Sequence, residues 1–239
     1  MAPEPRIGRE HYDSSDYFEG RGAAHLTDSE SPFQRYRVAK LTELRAPSAT
    51  DRVVDLGCGW GTFCFAWAER AREIVGVDFS VRSIELCRHR LAETPHGNVR
   101  FVCADAAETG LETEAYDLVI AADLFEHLYP DDSARVAREA YRLLTPEGHF
   151  AVWTPHRGHV LEALKHRGIL LEPDPTHVDY KSMDAMQRLL SEAGFAIERA
   201  YYAESHVPGL RLAERLLQPV VPFLRRRIAV LGRKSGRGR

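Results

Sequence analysis

No apolar run in the chain approaches the roughly 18 residues of a membrane span. The first ten residues, MAPEPRIGRE, hold no apolar stretch of the kind a secretory leader carries. Cysteine is scarce: Cys58, Cys64, Cys87 and Cys103 are the four, and no two have CxxC spacing. That excludes a disulfide framework and makes a reducing, cytoplasmic setting the expectation. No internal repeat is visible, and low complexity is confined to the last few residues. Basic charge is also short outside the C-terminus. Residues 225–239 hold seven Lys or Arg and no acid, leaving 25 basic against 35 acidic residues elsewhere. An acidic body lacks the cationic face of a dedicated nucleic-acid binder. The tail RKSGRGR could touch anionic lipid or RNA, but reads as a solvated terminus.

What remains is ample for a core. The 239 residues are 44% hydrophobic and 28% charged, enough for one large domain or a domain with a small appendage. From Asp51 onward, strand-like and helix-like segments alternate. Strands are expected at Arg52–Leu56, Glu73–Phe79, Asn98–Cys103, Tyr116–Ala122 and His149–Thr154. Helices are expected at Gly61–Arg72, Ser80–Glu93 (capped by Ser80) and Asp131–Leu144. A helix Ser182–Ala193, a Gly194 stop and strands Phe195–Tyr202 and Arg227–Leu231 follow. This alternation of nearly all-apolar short strands with helices implies βαβ units and a mainly parallel sheet. Residues 1–47 read as an N-terminal helical lid segment, with aromatics at Tyr12, Tyr17, Phe18, Phe33 and Tyr36. Residues 48–239 read as the main domain, with insertions at about 155–181 and 205–226. In the second insertion, residues 208–227 carry leucines at 210, 212, 216, 217 and 224. Burial against the sheet or a partner subunit is expected there, because two prolines interrupt the stretch and disfavour membrane insertion. A homodimer follows as a possible assembly.

The strongest motif is Val53-Val54-Asp55-Leu56-Gly57-Cys58-Gly59-Trp60-Gly61. A strand ends in a glycine-rich turn that opens a helix, and the missing Cβ atoms let a ligand pass close to the backbone. A dinucleotide loop would read Gly-x-Gly-x-x-Gly, whereas position 62 is Thr and the third glycine comes one residue early. Asp55, inside the strand end, would repel a pyrophosphate but suit an ammonium group. Asp78 ends the second strand, where an acid can accept both hydroxyls of a ribose. Asp105 follows the third strand, placed to accept an adenine amino proton. The three acids suit a ligand carrying an amine, a ribose and an adenine. A dehydrogenase is disfavoured.

The chain resembles the class I S-adenosylmethionine-dependent methyltransferases. The matching motifs are VVDLGCGWG, IVGVDFS, FVCADA, YDLVIAADLFEHL, LLTPEGHFAVWTP and the late AGF, over about residues 50–202. The LGRK ending is similar to the family's last strand. The resemblance implies a Rossmann-like seven-stranded mixed sheet in the order 3-2-1-4-5-7-6, strand seven antiparallel, with helices on both faces. It places Gly57, Cys58, Gly59 and Gly61 under the methionine part of S-adenosyl-L-methionine. It gives Asp78 the ribose, Asp105 with Ala106 the adenine, and Phe79 the adenine ring face.

Asp123, Glu126 and His127 follow the fourth strand, where the methyl group is expected. On a helix they would share one face at i, i+3 and i+4. Two carboxylates and an imidazole there make a divalent-metal site conceivable, for Mg2+ or Mn2+. The segment is similar to the Glu-x-x-Glu-His motif of ubiquinone-pathway O-methyltransferases and small-RNA 2′-O-methyltransferases. Asp123 stands for the first Glu, His156 for an Asn after strand five, and His177 is the candidate distant ligand. A plain capping box from Asp123 to Glu126, with His127 a metal-free base, is the alternative. The reading is an O-methyltransferase acting on a hydroxyl of a small molecule or glycan, with His127 and His177 as catalytic candidates. An N- or C-methyltransferase without metal is the runner-up, and a non-catalytic, RNA-associated module lies behind both. Five histidines between 149 and 177 suggest a polar pocket.

Overall fold

The computed structural model describes residues 6–14, 31–157, 176–205 and 208–236. Tyr17, Phe18 and most of the first insertion therefore lie outside the described residues. The N-terminal part gives α1 (Arg9–Tyr12) and α2 (Pro32–Leu44). Next come β1 (Arg52–Leu56), α3 (Thr62–Ala66), β2 (Glu73–Asp78), α4 (Val81–Glu93) and β3 (Val99–Cys103). Then follow β4 (Tyr116–Ala122), α5 (Pro130–Leu143), β5 (Leu144–Pro155), α6 (Met183–Glu192) and β6 (Phe195–Ala203). The second insertion forms α7 (Pro208–Leu217), and β7 (Arg227–Lys234) closes the sheet.

Seven strands lie in the order β3-β2-β1-β4-β5-β7-β6. The first five run parallel, and β7 is antiparallel to both β5 and β6. The expected fold class is thereby borne out. Side chains alternate across the pleat, so Val53, Leu118 and Ile120 face one apolar cluster while Val54, Val119 and Ala121 face the other. Both faces are covered, which is why the central strands are apolar throughout.

Two local departures have identifiable causes. The helix after β1 stops at Ala66 instead of running to Arg72. The Asn98 amide donates to the carbonyls of Ala68 and Ala71, removing them from any helical ladder. Trp67, fully buried at the helix end, donates its indole N–H to Thr42 at 3.0 Å. β5 begins at Leu144 rather than His149, because Leu144 already pairs with Tyr116 before an irregularity in the register. Ser80 caps α4 as expected, accepting from the Ser83 N–H at 3.1 Å.

The parallel strands deliver their carboxyl ends to one edge, and there the order reverses between β1 and β4. In open α/β sheets a ligand crevice forms at such a switch point. Among the described residues, no helix is long and apolar enough to cross a membrane.

Candidate functional site

A cavity of about 220 Å³ opens at that switch point. One wall is the turn after β1, where Gly57, Gly59 and Gly61 all adopt left-handed backbone angles (φ 71°, 49° and 73°). The reason for lacking a side chain differs at each. A Cβ at Gly57 would lie 2.8 Å from Leu124, and one at Gly61 would strike Phe65 and Phe101. A Cβ at Gly59 would meet nothing within 4 Å. Gly57 and Gly59 line the cavity; Gly61 and Cys58 do not. Gly61 instead packs behind the loop and opens α3, and Cys58 is buried in the core beneath Gly76.

The acids separate in the same way. Asp78 lines the cavity, and its two oxygens accept from the Gly59 and Ser80 N–H groups at 2.9 Å each. One carboxylate therefore ties the glycine loop to the start of α4, while burial pushes its pKa up. Asp105 lines the cavity beside Phe79 and Ala106, accepting from the Ala107 N–H at 2.8 Å. Asp55 does not line it. The pleat turns Asp55 beneath the loop, where it is 1% exposed and accepts from the Cys64 thiol at 3.6 Å.

Burial pushes the Asp55 carboxyl up to about 7, despite the Cys64 bond and the nearby Arg37 charge. A folded-state value above the unfolded one means the native chain holds a proton that the unfolded chain releases. Stability from this group is present at low pH and is lost as pH rises towards 7. The melting temperature of the ligand-free chain is expected to fall between pH 5 and pH 8. Asp55→Asn, which keeps the shape without the charge, should flatten that slope. A slope unchanged in the variant would assign it to other groups.

At the opposite wall, β4 ends in Asp123, which has a left-handed φ of 55°. Phe125–His127 then forms a single 3₁₀ turn rather than an α-helix. The shared face for Asp123, Glu126 and His127 is therefore not formed, and Asp123 makes no capping box with Glu126. The Asp123 carboxylate pairs with the Arg37 Nε at 2.9 Å and with Arg227. Burial alone would raise its pKa, but Arg227 and Arg37 outweigh it and hold it below the usual carboxylate range. Arg37 comes from α2 and Arg227 from the first residue of β7, and neither position stood out in the sequence. Arg227 also stacks 4.1 Å above the Trp153 ring. Asp123 lines the cavity, but its lone pairs are directed at guanidinium groups, so it is no member of a metal-ligand set.

Glu126, His127 and His177 do come together: one ligand atom from each lies within 4.8 Å of the others. The loop carrying His177 is fastened by its own backbone, since the Val178 and Asp179 N–H groups donate to the Glu126 carbonyl. Glu126 is 1% exposed and accepts from the Thr154 hydroxyl at 2.8 Å. Burial, then the neighbouring Asp123 charge, pushes its pKa up to about 8. The His127 Nδ1 faces the Thr176 carbonyl at 3.2 Å. A carbonyl only accepts, so in the tautomer that satisfies this contact Nδ1 carries the proton and Nε2 keeps the lone pair, with the Tyr12 hydroxyl at 3.3 Å as a second neighbour of Nδ1. The His177 Nδ1 meets the Tyr180 hydroxyl at 2.6 Å. His156 stays apart: its Nδ1 donates to the Arg225 carbonyl and its ring packs on Tyr202. His149 pairs with Glu198. The described histidines of the first insertion region thus disperse rather than form one polar pocket.

The N-terminal segment crosses the cavity mouth. Tyr12 packs against Phe79 and His127, with its hydroxyl 3.3 Å from the His127 Nδ1. Ser80 donates to Asp13 at 2.6 Å, and the Ile7 N–H donates to the Tyr129 hydroxyl. Tyr12 reads as packing in the sequence; the structure adds its polar contact with the imidazole.

Residues 53–148 match the family described as a methyltransferase domain. A Mycobacterium tuberculosis protein named as a probable S-adenosylmethionine-dependent methyltransferase is 30% identical over 186 residues, covering 75% of this chain and 60% of that protein. The ubiquinone biosynthesis O-methyltransferase of Ralstonia nicotianae is 31% identical over 113 residues, 47% of this chain and 46% of that protein. The chain thus spans about three fifths or less of the length of these curated relatives. A solved protein of Pyrococcus horikoshii superimposes with a TM-score of 0.70 at 21% identity, covering 93% of this chain and all of that one.

Proposed function

We propose, on the premise that this chain carries a class I S-adenosylmethionine-dependent methyltransferase domain, that it methylates a hydroxyl of a small molecule or glycan such as a sugar, polyol or catechol-like diol. The observation carrying this reading is a single cavity with cofactor-type acids at one wall and an oriented imidazole at the other. The cradle fits the cofactor: the open space where a Gly59 Cβ would stand lies beside the carboxylates of Asp78 and Asp105. When bound, S-adenosyl-L-methionine supplies an activated methyl group on a cationic sulfur.

The residues supply the rest. Asp78 accepts the ribose hydroxyls while holding the loop, and Phe79 and Ala106 flank the adenine beside Asp105. The Thr176 carbonyl fixes His127 in the tautomer whose Nε2 takes the acceptor's proton. Tyr12 roofs the space and keeps water from competing with the acceptor. The Arg37–Asp123–Arg227 pairs give that wall a fixed geometry.

In place of the proton-accepting role of His127, whose one free lone pair cannot serve both, the donor set of Glu126, His127 and His177 fits a divalent cation. Thr154, the Thr176 carbonyl and Tyr180 hold the three side chains from behind, as outer-shell oxygens do around metal ligands. With Asp123 committed to arginines, the set is one carboxylate and two imidazoles, which suits Mn2+ or a similar ion better than Mg2+. Such an ion would lower the pKa of an acceptor hydroxyl. The same shortage of carboxylates favours the second reading, metal-free methyl transfer to nitrogen or carbon.

Calorimetric titration with S-adenosylhomocysteine tests the premise, and no binding at high micromolar concentration overturns it. Mass spectrometry of products from a hydroxyl-bearing panel separates oxygen from nitrogen or carbon methylation. Turnover unchanged in EDTA removes the metal, and activity restored by Mn2+ retains it.

A further inference from the structure

Eight large apolar side chains stand exposed among the described residues, and six of them lie between positions 210 and 223: Leu210, Leu212, Leu216, Leu217, Val220 and Phe223. Burial of this stretch against the sheet is not what the structure shows, since Leu212 is 60% and Leu216 67% exposed. The prolines do interrupt the stretch, the helix ending at Leu217 just before Pro219 and Pro222. The helix is attached by its polar side instead. Glu214 is 1% exposed and accepts from the Ser205 N–H, and the Gln218 amide donates to the Tyr202 carbonyl. A surface helix ordinarily buries its apolar stripe and exposes its polar one. Here the apolar residues are left exposed, and among residues 209–217 only Glu214 is buried.

We propose that α7 and the turn after it form a docking surface for an anionic lipid bilayer, lying flat at the headgroup level. Charge selects the partner. Glu214 is the one acid between 208 and 226 and it is buried, while Arg211 and Arg215 are exposed beside the leucines. An apolar face rimmed by arginine alone matches acyl chains beneath anionic phosphates. A second copy fits less well, because pairing this face with itself would bring four arginines, Arg211 and Arg215 of each copy, to one interface with no exposed acid of this segment to answer them. Length agrees: ten residues reach about 15 Å, enough to lie on a bilayer and too little to cross it.

The position in the fold is coherent with this. β7 starts at Arg227, opposite Pro155 at the carboxyl end of β5, and Arg227 pairs with Asp123 at the cavity wall. The docking surface therefore shares the sheet edge on which the cavity opens. β7 runs away from this surface, reaching Arg233 opposite His149 at the other edge.

Co-sedimentation with vesicles of phosphatidylcholine, with and without phosphatidylglycerol, tests the proposal on the full chain. Retention by the phosphatidylglycerol vesicles alone is expected, weakening with salt. Leu212→Glu combined with Leu216→Glu should cut it by on the order of tenfold or more. Arg211→Glu with Arg215→Glu should cut it severalfold. Unchanged melting curves and S-adenosylhomocysteine affinity in both variants show that the fold and the cavity survive. Equal retention on the two vesicle types, or leucine variants that bind like the native chain, overturns the proposal. So does a dimer by light scattering that the leucine variants dissolve, with no vesicle retention; that result assigns the face to a second copy.

Discussion

Asp78→Ala is expected to lose calorimetric binding of S-adenosylhomocysteine at concentrations that saturate the native chain. The carboxylate has three tasks at one place. It accepts from the Gly59 N–H, which orients the loop; it accepts from the Ser80 N–H at the start of α4; and it lines the cavity where the ribose is proposed to sit. A hydrogen bond to a charged group contributes about 1.5–3 kcal/mol, so two ribose hydroxyls account for roughly a hundred- to ten-thousandfold in affinity. The loop bond adds to this, because a Gly59 N–H without its acceptor is free to leave the left-handed turn. Asp78→Asn is the sharper control. Its amide oxygen can serve one of the two backbone donors, but its NH2 group confronts the other, so most of the loss should persist. Affinity within tenfold of native in Asp78→Ala, with an intact melt, would remove Asp78 from the binding site and leave it a loop tether.

The glycine loop was legible in the sequence because it depends on short-range features, as does the alternation of strands and helices; the order of the strands came only from the family resemblance. Glycines at alternate positions after an apolar strand report left-handed backbone, and an acid at each strand end is placed at the carboxyl edge by the strand itself. What the spacing could not distinguish is why each glycine is there. Gly59 leaves room in the cavity, whereas Gly61 leaves room for Phe65 and Phe101, and the two look alike in a motif. Asp55 and Asp78 likewise both sit near strand ends, yet the pleat sends one beneath the loop and the other to the cavity.

Asp123 was beyond reach for a different reason. Its partners, Arg37 and Arg227, come from α2 and from the far end of the chain, Arg227 being 104 residues away. Once both guanidiniums are buried beside it, the carboxylate belongs to them and not to a metal, and no local pattern announces this. The spacing of Asp123, Glu126 and His127 suggested a helix face, but the left-handed residue at 123 breaks that face before it starts. His177 comes within reach of Glu126 and His127 because the Glu126 carbonyl holds its loop by two backbone bonds. For α7 the apolar period was read correctly, and of the two surfaces it was expected to meet, the sheet is not the one it faces. Periodicity states that a helix has two faces and is silent on which one the protein uses.

His127→Ala is expected to lower kcat by about a hundred- to ten-thousandfold, the range for a removed general base, while S-adenosylhomocysteine affinity stays within about threefold. The separation follows from position: His127 stands at the wall opposite the glycine loop, held from the protein side by the Thr176 carbonyl and by contact with Tyr12. A base matters in proportion to how tightly the acceptor holds its proton. The deficit should therefore be largest on an aliphatic alcohol and shrink on a phenol of low pKa, and added imidazole should restore part of the rate. Tyr12→Phe keeps the ring that packs on Phe79 and should cost far less. If the metal-assisted reading holds, His177→Ala and Glu126→Gln should reproduce the loss seen in EDTA, with Mn2+ titrating activity back only in the native chain. An equal deficit on every acceptor, no rescue by imidazole and a parallel fall in cofactor affinity would together mark His127 as a wall residue rather than a base.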